Sequence, residues 1–303
     1  MSQVIFNSAR HDLALFLGRL AHQPAVLVQV DAVVGSVPRE AGAWMAVFND
    51  ALVGTIGGGH LEFDAIVQAR FLLTIGGTKT ARFALGPALG QCCGGVVHLR
   101  FECVGAEDIN ALRLRLQPAL QPLALFGGGH VGHALVEVLA RLPFAVTWID
   151  SRDGVFPDEL TGFSAGPPQG KMRLLGGQGA TQSERAWGSN VICEHSEPVQ
   201  SAVTGLAAQS RVLIMSFSHA EDLDVIAACL QRQRDHADLP YIGLIGSNTK
   251  WATFRSRLSA RGFTDAELAH VTSPIGVPGI VGKEPEVIAI AVAAQLLQGL
   301  NRV

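Results

Sequence analysis

The segment Gly90-Gln91-Cys92-Cys93-Gly94-Gly95 places two adjacent thiols between glycines. In extended backbone, neighbouring side chains point to opposite faces. Cys92 and Cys93 are therefore poorly placed to chelate one small ion together. One thiol facing a ligand and the other facing the core is the more natural reading. The flanking glycines remove side-chain bulk, so a large ligand can approach the backbone. A thiolate is a soft ligand, suited to a polarisable metal centre or to sulfur exchange. On the residues alone, two small buried hydrophobes in a tight turn remain the equal alternative.

Three further clusters carry possible chemistry. Gly54-Thr55-Ile56-Gly57-Gly58-Gly59-His60-Leu61-Glu62 reads as a strand-to-helix turn. It lacks the Lys-Ser/Thr ending of a P-loop. The N–H groups of Gly57, Gly58 and Gly59 could still cradle a phosphate or a carbonyl-rich ring. Gly35-Ser36-Val37-Pro38-Arg39-Glu40 is a polar turn with one fixed cation, and Arg39 could grip a phosphate through two N–H groups. Gly127-Gly128-Gly129-His130-Val131-Gly132 fits G-x-G-x-x-G at Gly127, Gly129 and Gly132. It follows the short apolar run Leu123–Phe126 and opens a helix, the context in which the pattern signals a dinucleotide site. The next strand ends at Asp150, the expected partner of a ribose hydroxyl, and Arg152 could hold a 2′-phosphate. NAD and NADP both stay open. A rival reading is a nicotinamide-dependent oxidoreductase, although such a site alone does not make a dehydrogenase.

His219, Asp222 and Asp224 fall just beyond the strand Arg211–Phe217, where ligands bind in parallel sheets. Helix capping by Ser218, with Glu221 and Asp222 favouring the dipole, is the larger part of that pattern. Pro274 to Glu286 reads as a long loop, either a lid or a stiff connector. No nucleophile–base–acid triad, G-x-S-x-G turn or zinc-type cysteine spacing is present.

These residues need a scaffold, and the chain is long enough for two domains: 303 residues, 48% hydrophobic. Charged residues are 16% and the net charge is −3, which excludes a disordered chain and a bulk cationic field for nucleic acid or anionic lipid. The five cysteines do not form a disulfide framework. The longest apolar run, Val287–Leu297, is too short to span a bilayer. A soluble, cytoplasmic, thiol-reduced protein is the expectation.

Residues 8–22 read as an amphipathic helix burying Leu13, Phe16, Leu17 and Leu20. Strands are expected at Ala25–Val34, Ala43–Phe48, Leu52–Ile56, Lys79–Leu85 and Val96–Val104. A helix over Leu61–Leu73 has Leu61, Ala65, Val67 and Phe71 as its inward positions. The first domain is thus α+β over residues 1–105, and residues 106–122 form a linker helix and boundary. From 123 to 303, strands alternate with helices, including ones near 199–209 and 222–235. This implies a Rossmann-like doubly wound parallel sheet with further C-terminal helices. Gly154–Gly179 reads as loop. The fold class is therefore α/β, an N-terminal α+β domain followed by that parallel sheet.

The clusters, taken in order, resemble the XdhC/CoxI family of molybdenum-cofactor maturation proteins. The resemblance covers nearly the whole chain. It rests on GSVPREAG at 35–42, GTIGGGHLE at 54–62, LGQCCGG at 89–95, LALFGGGHVGHAL at 123–135, WIDSR at 148–152, SHAEDLD at 218–224, YIGLIGS at 241–247 and the stretch 273–297. What it implies is a chaperone that binds molybdenum cofactor (molybdopterin), protects it from oxidation and supports exchange of an oxo for a sulfido ligand. The sulfur comes from a cysteine desulfurase, and the finished cofactor passes to apo xanthine dehydrogenase. The resemblance further implies a homodimer and maps cofactor and metal binding onto Cys92 and Cys93. Family members carry Thr-His-Ser-His where this chain reads Ser216-Phe217-Ser218-His219, so of that stretch only His219 is carried over.

Overall fold

β-branched residues dominate Ala25–Val34, and the first six positions of this strand, β1, are shielded on both faces. A strand covered on both sides belongs at the centre of a sheet. The computed structural model, which describes residues 9–86, 94–157 and 190–300, puts it there. Cys92 and Cys93 lie outside the described residues, as does most of the expected 154–179 loop. The chain divides into one unit over Met1–Pro118 and another over Ala119–Val303.

The first unit is a five-stranded antiparallel sheet in the order β3-β2-β1-β5-β4. Its strands are β1, β2 (Trp44–Val47), β3 (Leu52–Gly54), β4 (Thr78–Ala84) and β5 (Val96–Val104). Val26, Val28 and Val30 face helix α2 (Gly59–Ile75), packing with Leu61, Ala65, Ala69 and Leu72. Ala25 and Leu27 face the opposite way. There they meet α1 (Ala9–Leu20), through Leu13, Phe16, Leu17 and Leu20, and α3 (Ile109–Leu116), through Leu112 and Leu116. The helix expected within residues 106–122 is α3, and it packs in the first unit.

The inward face of α2 differs from the expected one. Val67 is 55% exposed and Phe71 65% exposed, while Ala69 and Leu72 are buried. Residues 63, 67, 71 and 75 repeat every fourth position and share the outer face. The buried face carries Leu61, Ala65, Ala69 and Leu72, large and small side chains together.

The second unit is a six-stranded parallel sheet in the order β11-β10-β9-β6-β7-β8. Its strands are β6 (Gln121–Phe126), β7 (Phe144–Asp150), β8 (Val191–His195), β9 (Arg211–Ile214), β10 (Tyr241–Leu244) and β11 (Val271–Thr272). Helices α4 (His130–Leu139) and α8 (Pro285–Leu300) cover one face. Helices α5 (His219–His236) and α6 (Asn248–Ala260) cover the other. This is the doubly wound arrangement. Residues 199–205 form a 3₁₀ turn and not the α-helix expected over 199–209. The short helix α7 (Asp265–Leu268) and strand β11 carry too few residues for a periodic signal. Consecutive connections leave β6 and β9 in opposite directions. The crevice at their carboxyl ends is the topological switch point where such sheets take ligands.

Candidate functional site

Three of the glycine-bearing segments converge at one end of the first unit's sheet. Gly57, at φ +127°, lies against Pro38; a Cβ there would sit 2.7 Å from the proline ring and 3.5 Å from Cγ of Arg39. Gly95 donates its N–H to the Ser36 carbonyl at 3.0 Å. Its own carbonyl accepts from Leu85 at 2.8 Å. The chain directly after Cys93 is thereby tied to the 35–42 loop. That loop in turn touches the 57–59 turn.

The N–H groups of Gly57 and Gly58 have internal acceptors. The Glu62 carboxylate accepts from Ile56 N at 3.1 Å, Gly58 N at 3.1 Å and Thr55 Oγ1 at 2.6 Å. Gly57 N donates to Thr55 Oγ1 at 3.1 Å. The Glu62 carboxylate disfavours an anion at these donors, and Arg39 is the cation beside the turn. Arg39 is exposed and makes no ion pair or hydrogen bond among the described residues. Glu62 was visible in the sequence only as the last residue of a motif. Its spacing from Ile56 and Gly58 was the signal.

Burial disfavours the thiolate form of each described cysteine. Burial raises the Cys103 thiol, which donates to the Leu72 carbonyl at 3.3 Å. Burial also pushes Cys193 up to about 11 and Cys229 up to about 12. No group of three or more His, Cys, Asp or Glu able to hold a metal occurs among the described residues.

In the second unit the Gly127–Gly132 turn sits at the switch point. A Cβ on Gly132 would collide with the Gly127 carbonyl oxygen, whereas one on Gly129 would meet nothing within 4 Å. The first position serves helix–strand packing and the second leaves the helix N-terminus approachable. Trp148, buried in β7, donates its indole N–H to the Gly127 carbonyl at 3.0 Å and fixes the turn from below.

Asp150 is 2% exposed, and protein donors surround its carboxylate. Gly128 N donates at 2.6 Å; Arg152 donates through N, Nε and Nη2, each at 2.9 Å. Burial alone would raise the Asp150 pKa. The Arg152 guanidinium and the two backbone N–H groups outweigh it and hold the carboxyl below its ordinary value. The Arg152 guanidinium also lies 4.7 Å from the ring centre of Phe217, which is 60% exposed. Arg152 follows β7 and Phe217 follows β9, and β6 runs between those strands. A ribose hydroxyl must displace Arg152 to reach Asp150. Val155 crowds the Cα of Gly128 as well.

His219 is the first residue of α5 and is exposed, with its ring edge-on to Phe254 at 6.1 Å. Ser218 caps α5 by accepting from Ala220 N at 3.2 Å. Asp222 is no ligand-facing carboxylate: it accepts from Ser216 N at 2.8 Å and from Lys250 Nζ at 2.6 Å. Lys250 also donates to the Ile245 carbonyl at 2.9 Å, bracing the ends of β9 and β10 together. Nothing in the sequence pattern singles out Lys250.

A doubly wound parallel sheet with a glycine turn at its switch point, preceded by a five-stranded antiparallel unit, defines a two-unit α/β protein with a Rossmann-type second half. A family model described as the XdhC Rossmann domain matches residues 123–296, and one described as the XdhC and CoxI family matches residues 19–84. The chain belongs to the XdhC and CoxI family. It is 24% identical over 285 residues to YqeB of Escherichia coli (strain K12), spanning 92% of this chain and 44% of that protein. A crystal structure from Bacillus halodurans, described as a xanthine dehydrogenase, superimposes with a TM-score of 0.70, covering 95% of each chain at 19% identity. The last similarity is one of fold.

Proposed function

We propose that this protein is a maturation factor for xanthine dehydrogenase that binds molybdenum cofactor, protects it, supports its sulfuration and delivers it to the apoenzyme. The observation that carries the reading is the convergence of the 35–42, 54–62 and 94–95 segments on one end of the first unit's sheet. All three belong to stretches that the family resemblance picked out, although they are far apart in sequence.

One described residue of the donor set supports such a cargo. Arg39 supplies a cation for the phosphate of a pterin ligand. Soft coordination of molybdenum is assigned in this reading to Cys92 and Cys93, on the family resemblance and on the softness of a thiolate ligand. The bound cargo supplies a metal centre able to exchange an oxo for a sulfido ligand. The chain's own residues hold the pterin, present the thiols and limit water and oxygen. The sulfur donor in this reading is a cysteine desulfurase, the recipient is apo xanthine dehydrogenase, and the factor works as a cytoplasmic homodimer.

Co-expression with a cofactor-synthesising host, followed by molybdenum and pterin analysis of the purified protein, tests the reading. The wild type retains both. The double variant Cys92→Ala, Cys93→Ala loses molybdenum while keeping its circular dichroism. Full retention by that variant defeats the placement of the metal.

The second reading, an NAD(P)-dependent oxidoreductase, draws on the open approach to Gly129 at the switch point. The occupied Asp150 carboxylate speaks against it. Titration with NADH and NADPH, with a turnover assay, decides: hydride turnover without pterin binding favours the oxidoreductase.

A further inference from the structure

The first unit contains a cleft of about 350 Å³ on the α1/α3 side of its sheet, lined by Arg39, Trp44, Gln29, Gly54, Thr55 and Arg115 among others. Small-molecule sites usually occupy about 300–1,000 Å³. We infer that this cleft binds the pterin monophosphate portion of the cargo, with Trp44 as stacking wall, Gln29 as ring-edge donor and Arg39 as phosphate anchor. The choice of a pterin over other planar anions rests on the proposed function.

The wall is built. Trp44 is half-buried, and its ring is held by Phe16 at a centroid distance of 5.4 Å. Gly54, at φ +78°, makes room for the indole: a Cβ there would lie 2.7 Å from the Trp44 carbonyl oxygen and 3.3 Å from two ring carbons. Gln29 stands directly opposite Trp44 in the β1–β2 register, so both side chains leave the same face. Arg100, opposite Gln29 in β5, donates to the Gln29 Oε1 at 3.0 Å. The carboxamide is thereby fixed, with its NH₂ as the remaining donor. A fixed amide beside an aromatic face suits a flat ring that carries a carbonyl or a ring-nitrogen acceptor.

Charge completes the match. Arg115 is neutralised by a fork with Glu102, with Nη2 to Oε2 at 2.6 Å. Arg39 has no such partner among the described residues, so its guanidinium is the cation left for an anionic substituent. One ring and one phosphate, and not a polyanion, is what this distribution accepts.

Isothermal titration of the full-length protein with neopterin monophosphate, neopterin and AMP tests the assignment. The phosphorylated pterin binds saturably and at least about tenfold more tightly than AMP. Arg39→Gln weakens it about tenfold without changing neopterin binding, because only the phosphate contact is lost. Trp44→Leu weakens both pterins about tenfold through lost stacking. Unchanged affinity in Arg39→Gln, a surface change that leaves the fold intact, overturns the proposal, as does equal binding of AMP. The Cys92→Ala, Cys93→Ala variant keeps its affinity for the metal-free pterin probe even where molybdenum retention is lost. Failure at the cleft and failure of the thiol placement are therefore read separately.

Discussion

The ammonium of Lys250 meets the carboxylate of Asp222 at 2.6 Å, with Asp222 only 1% exposed. The pair joins α5 to α6 and holds the loop after β9 through Ser216 N. Removing one partner from a buried pair leaves a charge without compensation, at a cost of about 3–5 kcal/mol. Urea unfolding of Lys250→Ala should show a loss of that size. Arg255→Ala, which breaks an exposed pair with Asp265, should cost about 1 kcal/mol or less. Equal losses in the two variants would show that the Lys250 pair is no brace.

The two glycines Gly129 and Gly132 of the turn after β6 should respond differently. Gly132→Ala forces a methyl into the Gly127 carbonyl oxygen and should destabilise by about 1–3 kcal/mol. Gly129→Ala enters open space from an extended backbone at φ −81° and should leave the melting temperature within a degree or two, about 0.5 kcal/mol. Thermal denaturation of both variants checks the contrast.

Acid stability should depend on Asp150. Its folded-state pKa lies below the unfolded value, so it adds stability above the ordinary carboxylate range. That share is lost as the pH falls through the depressed folded value. Glu267 acts in the same direction: Arg234 and the Thr264 cap bring it down to about 2 from 4.5. Asp150→Asn should therefore flatten the fall in stability below about pH 4, the ordinary carboxylate value. Urea midpoints measured at several pH values would report this; a wild-type slope in the variant would remove Asp150 from the account.

Thiol reactivity separates the cysteines. With burial pushing Cys193 up to about 11 and Cys229 up to about 12, both should resist iodoacetamide at pH 8 in the native state. Peptide mass mapping after brief labelling gives the answer. Rapid modification of Cys229 would mean that the core around α5 opens.

Much of this architecture was readable because glycines and β-branched runs punctuate the chain. Ala25–Val34 and Val96–Val104 agree with the strands as found. The apolar run before Gly127, followed by a helix, also announced the parallel sheet. The outer face of α2 misled because Val67 and Phe71 are more apolar than the alanines that pack inward. Asp150 was legible as an acidic strand end. That Arg152, two residues on, consumes its carboxylate depends on side-chain direction, which spacing does not reveal. Lys250 pairs with a residue in another helix, a long-range contact without local signature.

The pairing partners set an order of assembly. Every neighbouring pair in the first unit's sheet lies within residues 25–104, so that sheet can close once this stretch has left the ribosome. β6 must instead wait for β9, since Leu123 pairs with Arg211. Parallel pairings of such span form late in synthesis and leave apolar strands waiting. All pairings of the antiparallel half thus lie within chain made before Arg211, the residue that completes the centre of the parallel half.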